Sequence, residues 1–232
     1  MINALRAALK TVTHKRINNR IIIITVSKSR KMKKFVFVAS FFCSVFFLQA
    51  SHADSISDIQ LPNLLPASAE RPELKLNGAS IRELYLLIET YVGALYLEKP
   101  SNNPQTIINS DTHKRMVFHI LLKKVGARRT AKALQEALLL NLSEKDHLDL
   151  IDDIELMLSY FTGNMYAGEQ SVFDYIPGIG TRVTLKGEVK GIISGKKFYD
   201  AMLAIWIGKN PVGGTFKDEI LGLNKVQESN NT

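Results

Sequence analysis

The sequence contains one cysteine among 232 residues, together with only seven prolines and fourteen glycines. A single cysteine excludes a disulfide framework and any metal site built from several cysteines. So few prolines and glycines exclude a collagenous or proline-rich chain, and an apolar content of 46% excludes disorder over the whole length. A chain of this length is therefore predicted to form one domain or at most two.

Acidic residues are missing from the first 53 positions, and this absence explains the net charge of +8. The first 34 residues hold ten of the 30 Lys and Arg residues, whereas all 22 Asp and Glu residues lie from Asp54 onward. The chain from Asp54 thus has 20 basic residues against 22 acidic ones. Its one basic cluster comprises Lys123, Lys124, Arg128 and Arg129. Nucleic-acid binding needs many clustered cations, so we expect no nucleic-acid partner.

One long apolar run, residues 35–48, follows two lysines and precedes the small residues Ser51 and Ala53. A basic start, an apolar stretch and small residues at the last and third-last positions are typical of a secretory signal peptide. We therefore predict a signal peptide over 32–53 that is cleaved after Ala53, and a periplasmic mature protein without a stable membrane anchor. A retained anchor is the alternative, but a membrane-spanning helix needs about 20 apolar residues.

The remaining boundaries follow from this segment. Residues 1–31 are interpreted as an over-extended gene start with Met32 as the initiator, and a genuine basic extension is the alternative. Residues 54–72 contain three prolines and no sustained period, which predicts an irregular leader. The folded domain is expected over 73–223, followed by a polar tail over 224–232.

Strand and helix patterns alternate along the expected domain. Strands are predicted over 74–76, 80–97, 114–122, 171–176, 181–185 and 188–193, with turns at 77–78 and 186–187. Helices are predicted over 129–142, from a capping-box-like start at Ser143, over 196–207 and over 215–221. This order predicts an α+β fold with an antiparallel sheet.

The common catalytic and metal-binding patterns are missing. Gly178-Ile-Gly180 precedes a strand pattern instead of a helix, so it is interpreted as a turn and not as a phosphate loop. The three histidines after residue 54 lack the spacing of metal ligands, and the acids after Ser143 are interpreted as a solvated helix face. We therefore assign no catalytic residue and expect no metal and no cofactor.

Arg82 breaks the pattern of its predicted strand, because it shares its parity with the apolar residues Leu84, Leu86 and Ile88. A buried arginine requires an anionic partner. One interpretation is that Arg82 lies at the strand end and reaches water. The other is that its guanidinium lies at the mouth of an apolar pocket and takes a carboxylate or an enolate as partner.

Four segments together resemble the chalcone isomerase-like family, in its secreted bacterial branch: residues 76–82, 91–97, 175–181 and 198–212. The resemblance extends from Leu74 to Gly222. It implies an open-faced sandwich, in which a large antiparallel sheet carries helices on one side and a cleft lies between the two layers.

The resemblance also implies site residues. Arg82 matches the cleft arginine that stabilises substrate charge in plant chalcone isomerases, whereas Tyr91 and Ile205 stand where those enzymes carry threonines. The fatty-acid-binding members of the fold clamp a carboxylate with an arginine and a tyrosine. Arg82, Tyr91 and Trp206 are therefore the expected ligand-binding residues. Arg82 and Tyr91 have opposite parity on an unbroken strand, so they converge only if a bulge or a turn shifts the register.

The missing polar positions favour a non-catalytic protein whose ligand is a small apolar carboxylate such as a fatty acid. Two alternatives stay open. One is an intramolecular lyase or isomerase with an unidentified substrate. The other is a structural or partner-binding protein with a filled cleft.

Overall fold

The computed structural model describes residues 16–17, 20–21, 53–85 and 87–223. The chain divides into two units, residues 1–48 and 49–232. In the first unit, β1 (Arg16–Ile17) and β2 (Arg20–Ile21) form an antiparallel pair. Three predicted segments lie largely or wholly outside the described residues. They are the gene-start segment 1–31 apart from these strands, the signal peptide 32–53 apart from Ala53, and the polar tail 224–232.

The second unit contains both strands and helices. Its described strands are β3 (Ala53–Ile56), β4 (Ile59–Pro62), β5 (Leu64–Leu65), β6 (Leu74–Leu84), β7 (Ile88–Leu97), β8 (Lys114–Ile120), β9 (Lys124–Gly126), β10 (Asn164–Tyr166), β11 (Gln170–Ile176), β12 (Gly180–Leu185) and β13 (Glu188–Ser194). Its described helices are α1 (Pro104–Asn109), α2 (Ala127–Leu139), α3 (Glu144–Ser159), α4 (Lys196–Ile207) and α5 (Gly214–Ile220). Among the described residues, no helix combines the length and the apolar character needed to cross a membrane.

Seven strands form one antiparallel sheet in the order β13-β12-β11-β8-β7-β6-β5. Alternate residues of β7 serve opposite faces, as the period of a strand requires. Leu95 and Leu97 join the core between the sheet and the helices, whereas Val92, Ala94 and Tyr96 join a second cluster on the other face. The predicted α+β architecture with an antiparallel sheet is confirmed.

Helix α4 lies at the centre of the helix layer. Eight of its twelve residues are buried, which is typical of a helix enclosed on several sides. Its predicted bounds, 196–207, agree with the observed ones. The predicted cap of α3 is also confirmed, because Ser143 Oγ accepts a hydrogen bond from the Asp146 amide at 3.1 Å. Helix α1, in contrast, is absent from the predicted elements; the Asn103 side chain caps it and Pro104 is its first residue.

The segment after Ala53 differs from its prediction as an irregular leader. β3 and β4 form a hairpin whose turn residues, Ser57 and Asp58, have φ values of 51° and 61°. Two positive values fit a tight hairpin turn. The hairpin places Leu61, which is fully buried, in the cluster on the face of the sheet opposite the helices. The prediction is therefore wrong for these residues, because their apolar side chains cover the sheet.

The predicted strand over 80–97 is in fact two strands, β6 and β7, joined by a hairpin. Tyr85 occupies the turn with φ of 54°. The predicted turn at Asn77–Gly78 is also wrong, because β6 continues through it with a register shift. Asn77 Nδ2 donates to the Ile220 carbonyl oxygen at 2.9 Å, and a Cβ on Gly78 would lie 2.2 Å from the Glu219 carbonyl oxygen. Close packing of α5 against β6 thus accounts for the irregularity.

Candidate functional site

Arg82 and Tyr91 are direct partners across the β6–β7 hairpin. Side chains of directly opposed residues in an antiparallel pair project from the same face. Tyr91 packs against the core between sheet and helices, so Arg82 projects toward the helices as well. The hairpin, with a register shift after Arg82, therefore brings together two residues that had opposite parity on the predicted single strand.

Trp206 joins this pair from helix α4. Its Nε1 donates a hydrogen bond to the Tyr91 hydroxyl oxygen at 3.0 Å, and only 3% of the residue is exposed. The three predicted ligand-binding residues thus lie in one region, between the β6–β7 hairpin, helix α4 and Gly213, the residue before α5.

The Tyr91 phenol is held in its neutral form. Burial raises the pKa of Tyr91 to about 12, although the hydrogen bond from Trp206 and the charge of Arg82 oppose this rise. A neutral phenol both accepts and donates a hydrogen bond. Trp206 uses the acceptor capacity of Tyr91, and the described residues offer no acceptor for its hydrogen. Tyr91 can therefore donate to an added group.

Arg82 carries a charge that the described part of the chain does not neutralise. No carboxylate of a described residue lies within 4 Å of its guanidinium; its recorded hydrogen bond runs to the Glu83 carbonyl oxygen. The guanidinium lies beside Gly213, where an added Cβ would be 3.7 Å from Nη1. Because a guanidinium has five N–H donors, Arg82 keeps donors for an anion.

Glu219 of α5 forms a hydrogen bond with another residue of β6. Ser80, two residues before Arg82 on the same strand, donates through Oγ to the Glu219 carboxylate at 2.5 Å. Sequence analysis missed this contact because 139 residues separate its partners. The bond attaches α5 to β6. The Glu219 carboxylate thus accepts from the Ser80 hydroxyl and forms no ion pair with Arg82.

Aromatic rings fill the space beside Tyr91. Its ring contacts Phe118 and Phe216 edge-on, with centroid distances of 5.2 and 5.9 Å, and Phe118 lies 4.6 Å from the Trp206 ring. A Cβ on Gly93 would lie 2.5 Å from Phe216 Cζ. The lack of a side chain at Gly93 therefore makes room for the Phe216 ring. The predicted cleft is therefore occupied by side chains of the protein, among them Phe216 of α5.

Lys114 is a second unusual cation on the helix side of the sheet. It is 1% exposed, and its Nζ donates to the Ser110 carbonyl oxygen at 2.6 Å and lies 4.7 Å from the centre of the Tyr175 ring. Burial, assisted by the charge of Lys196, lowers the pKa of Lys114 to about 8. Sequence analysis did not predict this burial, because lysine side chains are mostly exposed in folded proteins.

The candidates that sequence analysis set aside behave as follows. The Gly178-Ile-Gly180 segment is a turn between β11 and β12. The acidic half of α3 binds Lys197, whose Nζ lies 2.8 Å from Asp146 and 2.7 Å from Asp149. No group of three or more potential metal ligands occurs in the part of the chain that the structure describes.

The fold and the site define an α+β protein in which an arginine and a tyrosine meet at the junction of a sheet and its helix layer. The model of the chalcone isomerase-like family matches residues 53–222, and the chain belongs to that family. The match includes β3 and β4 as well as the expected domain. The predicted family is therefore confirmed.

Solved structures show the same fold. The crystal structure of the Arabidopsis thaliana fatty-acid binding protein AtFAP1 is similar with a TM-score of 0.60 and 16% sequence identity, over 74% of this chain and 95% of that one. At this level of identity the likeness concerns the fold. A search of curated proteins gave no match.

Proposed function

We propose that this protein binds a small apolar carboxylate, such as a fatty acid, and holds the carboxylate between Arg82 and Tyr91. The observation that carries the proposal is a guanidinium without a carboxylate partner among the described residues, directly opposite a buried phenol. The similarity of the fold to a plant fatty-acid binding protein supports it.

In the proposed complex the ligand carboxylate accepts N–H donors from Arg82 and the O–H of Tyr91. Hydrogen bonds to an ionised group are about twice as strong as neutral ones. Trp206 fixes the orientation of Tyr91 through its bond to the phenol oxygen. The apolar tail enters where Phe216 now packs, so binding requires α5 to move away from β7.

A second candidate function is a structural or partner-binding protein with a permanently filled core. The packing of Phe118, Trp206 and Phe216 around Tyr91 favours it, because these rings already occupy the space. An isomerase is the less supported alternative, since the Ile205 side chain offers no hydroxyl at the position where the enzymes carry a threonine.

Isothermal titration calorimetry with palmitate tests the proposal by measuring its affinity. Arg82→Ala is expected to weaken binding by about ten- to a hundredfold, as loss of a hydrogen bond to a charged group implies. Arg82→Lys should restore only part of the affinity, because an ammonium cannot form the two parallel bonds of a guanidinium. Lys75→Ala removes an exposed cation of the same strand and serves as the control. Equal affinities for the parent and Arg82→Ala would remove the basis of the proposal.

We also propose that the protein belongs to a secreted bacterial branch of the family and acts in the periplasm after cleavage behind Ala53. The supporting pattern is the basic start, the apolar run and the small residues of the sequence. N-terminal sequencing of periplasmic protein should begin at Asp54. An uncut chain in the membrane fraction would contradict this location.

A further inference from the structure

Phe216, the third residue of helix α5, is a neighbour of both residues proposed to hold the ligand carboxylate. Its ring contacts the Tyr91 ring edge-on, with 5.9 Å between the centroids, and the residue is 3% exposed. A Cβ added to Gly213 would lie 3.5 Å from Phe216 Cβ and 3.7 Å from Arg82 Nη1. An apolar chain that starts from a carboxylate between Arg82 and Tyr91 therefore meets Phe216.

Phe216 differs from the other rings beside Tyr91 in the element that carries it. Phe118 belongs to β8, which pairs with β7 on one side and with β11 on the other. Trp206 belongs to α4, of which eight of twelve residues are buried. Phe216 belongs to a helix of only seven residues. Moving Phe118 or Trp206 would disrupt the sheet or the central helix, so Phe216 is the ring that can leave at the lowest cost.

The segment between α4 and α5 is fixed as far as Val212. The Asn210 amide donates to Asn141 Oδ1 at 3.0 Å, and the Asn210 carbonyl oxygen accepts from Asn141 Nδ2 at 2.9 Å. The Val212 amide donates to the Ile205 carbonyl oxygen at 2.9 Å. Residues 213–214 are both glycine, which accepts a wide range of backbone conformations. These two glycines are therefore suited to serve as a hinge.

The two ends of α5 are attached differently. Its last turn is fixed to β6, because Ile220 accepts through its carbonyl oxygen from Asn77 Nδ2 at 2.9 Å and the Glu219 carboxylate accepts from Ser80. Its first turn is held by the burial of Phe216 and by Lys217, whose Nζ donates to the Gly208 carbonyl oxygen at 2.7 Å. Lys217 is half-buried, so water can replace this bond when it opens. The start of α5 can therefore move while its end stays on β6.

We propose that Phe216 occupies the position of the ligand tail in the free protein, and that it sets the affinity of the site by competing with the ligand. This inference rests on the proposed carboxylate site of Arg82 and Tyr91. On binding, residues 213–217 move about the two glycines, the Phe216 ring leaves Tyr91, and the apolar tail takes its place beside Gly93. A protein whose binding-competent state is a minor one binds more weakly by the fraction of that state. Removal of the ring therefore strengthens binding.

Calorimetric titration of the full chain with palmitate tests the role of Phe216. Phe216→Ala is expected to bind palmitate about ten- to a hundredfold more tightly than the parent, because the parent must first expose a buried phenyl ring. Phe216→Leu should tighten binding by less, and it decides the question if Phe216→Ala does not fold. Phe198→Ala removes an equally buried ring of α4, about 12 Å along the helix from Trp206, and should leave the affinity unchanged.

The melting temperature provides a second measurement on the same proteins. Without ligand, Phe216→Ala and Phe198→Ala should both melt below the parent, because each leaves a cavity in the core. Palmitate should raise the melting temperature of Phe216→Ala by more than that of the parent, since the shift grows with affinity. A residue with a structural role alone would lower the melting temperature without strengthening palmitate binding.

The outcome separates this inference from the proposed function when Arg82→Ala is measured alone and together with Phe216→Ala. Unchanged or weaker palmitate binding by both Phe216 variants, with binding by the parent still dependent on Arg82, would overturn the role of Phe216 and leave the carboxylate site. Tighter binding by Phe216→Ala that the added Arg82→Ala does not weaken would support the tail position and remove the carboxylate site. Absence of palmitate binding in all of these proteins would overturn both.

Discussion

Two strand arginines of this protein, Arg115 and Arg82, differ in how their charges are balanced. Arg115 on β8 donates from Nε and Nη2 to the two carboxylate oxygens of Asp174, at 2.5 and 2.9 Å. Arg82 on β6 has no carboxylate within 4 Å among the described residues. Arg115 pairs across the ladder with Tyr96, on the face away from the helices, whereas Arg82 projects toward them. The described residues thus supply an anion for Arg115 and none for Arg82.

The environment of Asp174 shows what a structural arginine site looks like in this fold. Its side chain is 6% exposed and also lies 3.6 Å from Arg182, which pairs in turn with Glu70. These bonds join three neighbouring strands to the segment before β6. A charge paired in this way stabilises the fold, whereas Arg82 makes no such ion pair among the described residues.

The largest expected effect is that of truncating Trp206, which donates a hydrogen bond to Tyr91, the partner of Arg82 across the hairpin. Trp206→Ala should lower the free energy of unfolding by about 3–5 kcal/mol, the usual cost of truncating a buried tryptophan. Urea denaturation monitored by far-UV circular dichroism measures this change. A variant as stable as the parent would contradict the placement of the indole against Phe118 and Tyr91.

Asp174→Ala should lower the free energy of unfolding by about 3 kcal/mol, the lower end of the range for breaking a buried ion pair. The lower end applies because 23% of the Arg115 side chain stays exposed. Arg82→Ala, in contrast, should leave the stability unchanged or raise it, since it removes a charge without a partner. Equal losses in the two variants would show that both arginines are structural and would erase the difference between them.

A smaller effect, dependent on pH, is expected from Lys114. Because its pKa is lowered to about 8 in the folded protein, the unfolded chain binds more protons at this residue between pH 8 and its ordinary pKa of 10.5. The free energy of unfolding should therefore rise by up to about 2 kcal/mol between about pH 8 and pH 9.5. Measurements at higher pH are avoided, because Tyr91 and Tyr96, with pKa values raised to about 12, lose their stabilising contribution there.

Lys114→Met is the matched variant for this measurement, because it keeps the length of the side chain and removes the titrating group. Its stability should be independent of pH over the same interval. A rise that persists in Lys114→Met would assign the pH dependence to another residue.

Much of the fold could be predicted because its elements have strong local patterns. The bounds of α4 agree with its apolar period, and the turn at Lys186–Gly187 has the positive φ values, 54° and 79°, that its sequence indicates. The β3–β4 hairpin was missed because three prolines in 54–72 obscured the alternation of its apolar residues. Its burial depends on the sheet face that it covers, which no local pattern reveals.

The site was only partly predictable for the same reason. Arg82, Tyr91 and Trp206 were identified, but their convergence depends on a turn at Tyr85, where neither glycine, asparagine nor proline marks the hairpin. The positive φ of Tyr85 is imposed by the pairing of β6 with β7. The bulge at Asn77 likewise depends on a bond to Ile220, 143 residues away. Long-range pairing thus determined the parts that local sequence could not.

The most direct test of the comparison is the melting temperature of three proteins with and without saturating palmitate. A ligand that binds only the folded state raises its melting temperature. We predict that palmitate raises the melting temperature of the parent and of Arg115→Ala, although the latter begins lower, and that it raises that of Arg82→Ala by clearly less, because the weaker affinity contributes less binding energy. A rise in Arg82→Ala equal to that of the parent would contradict the claim that Arg82 holds the ligand carboxylate.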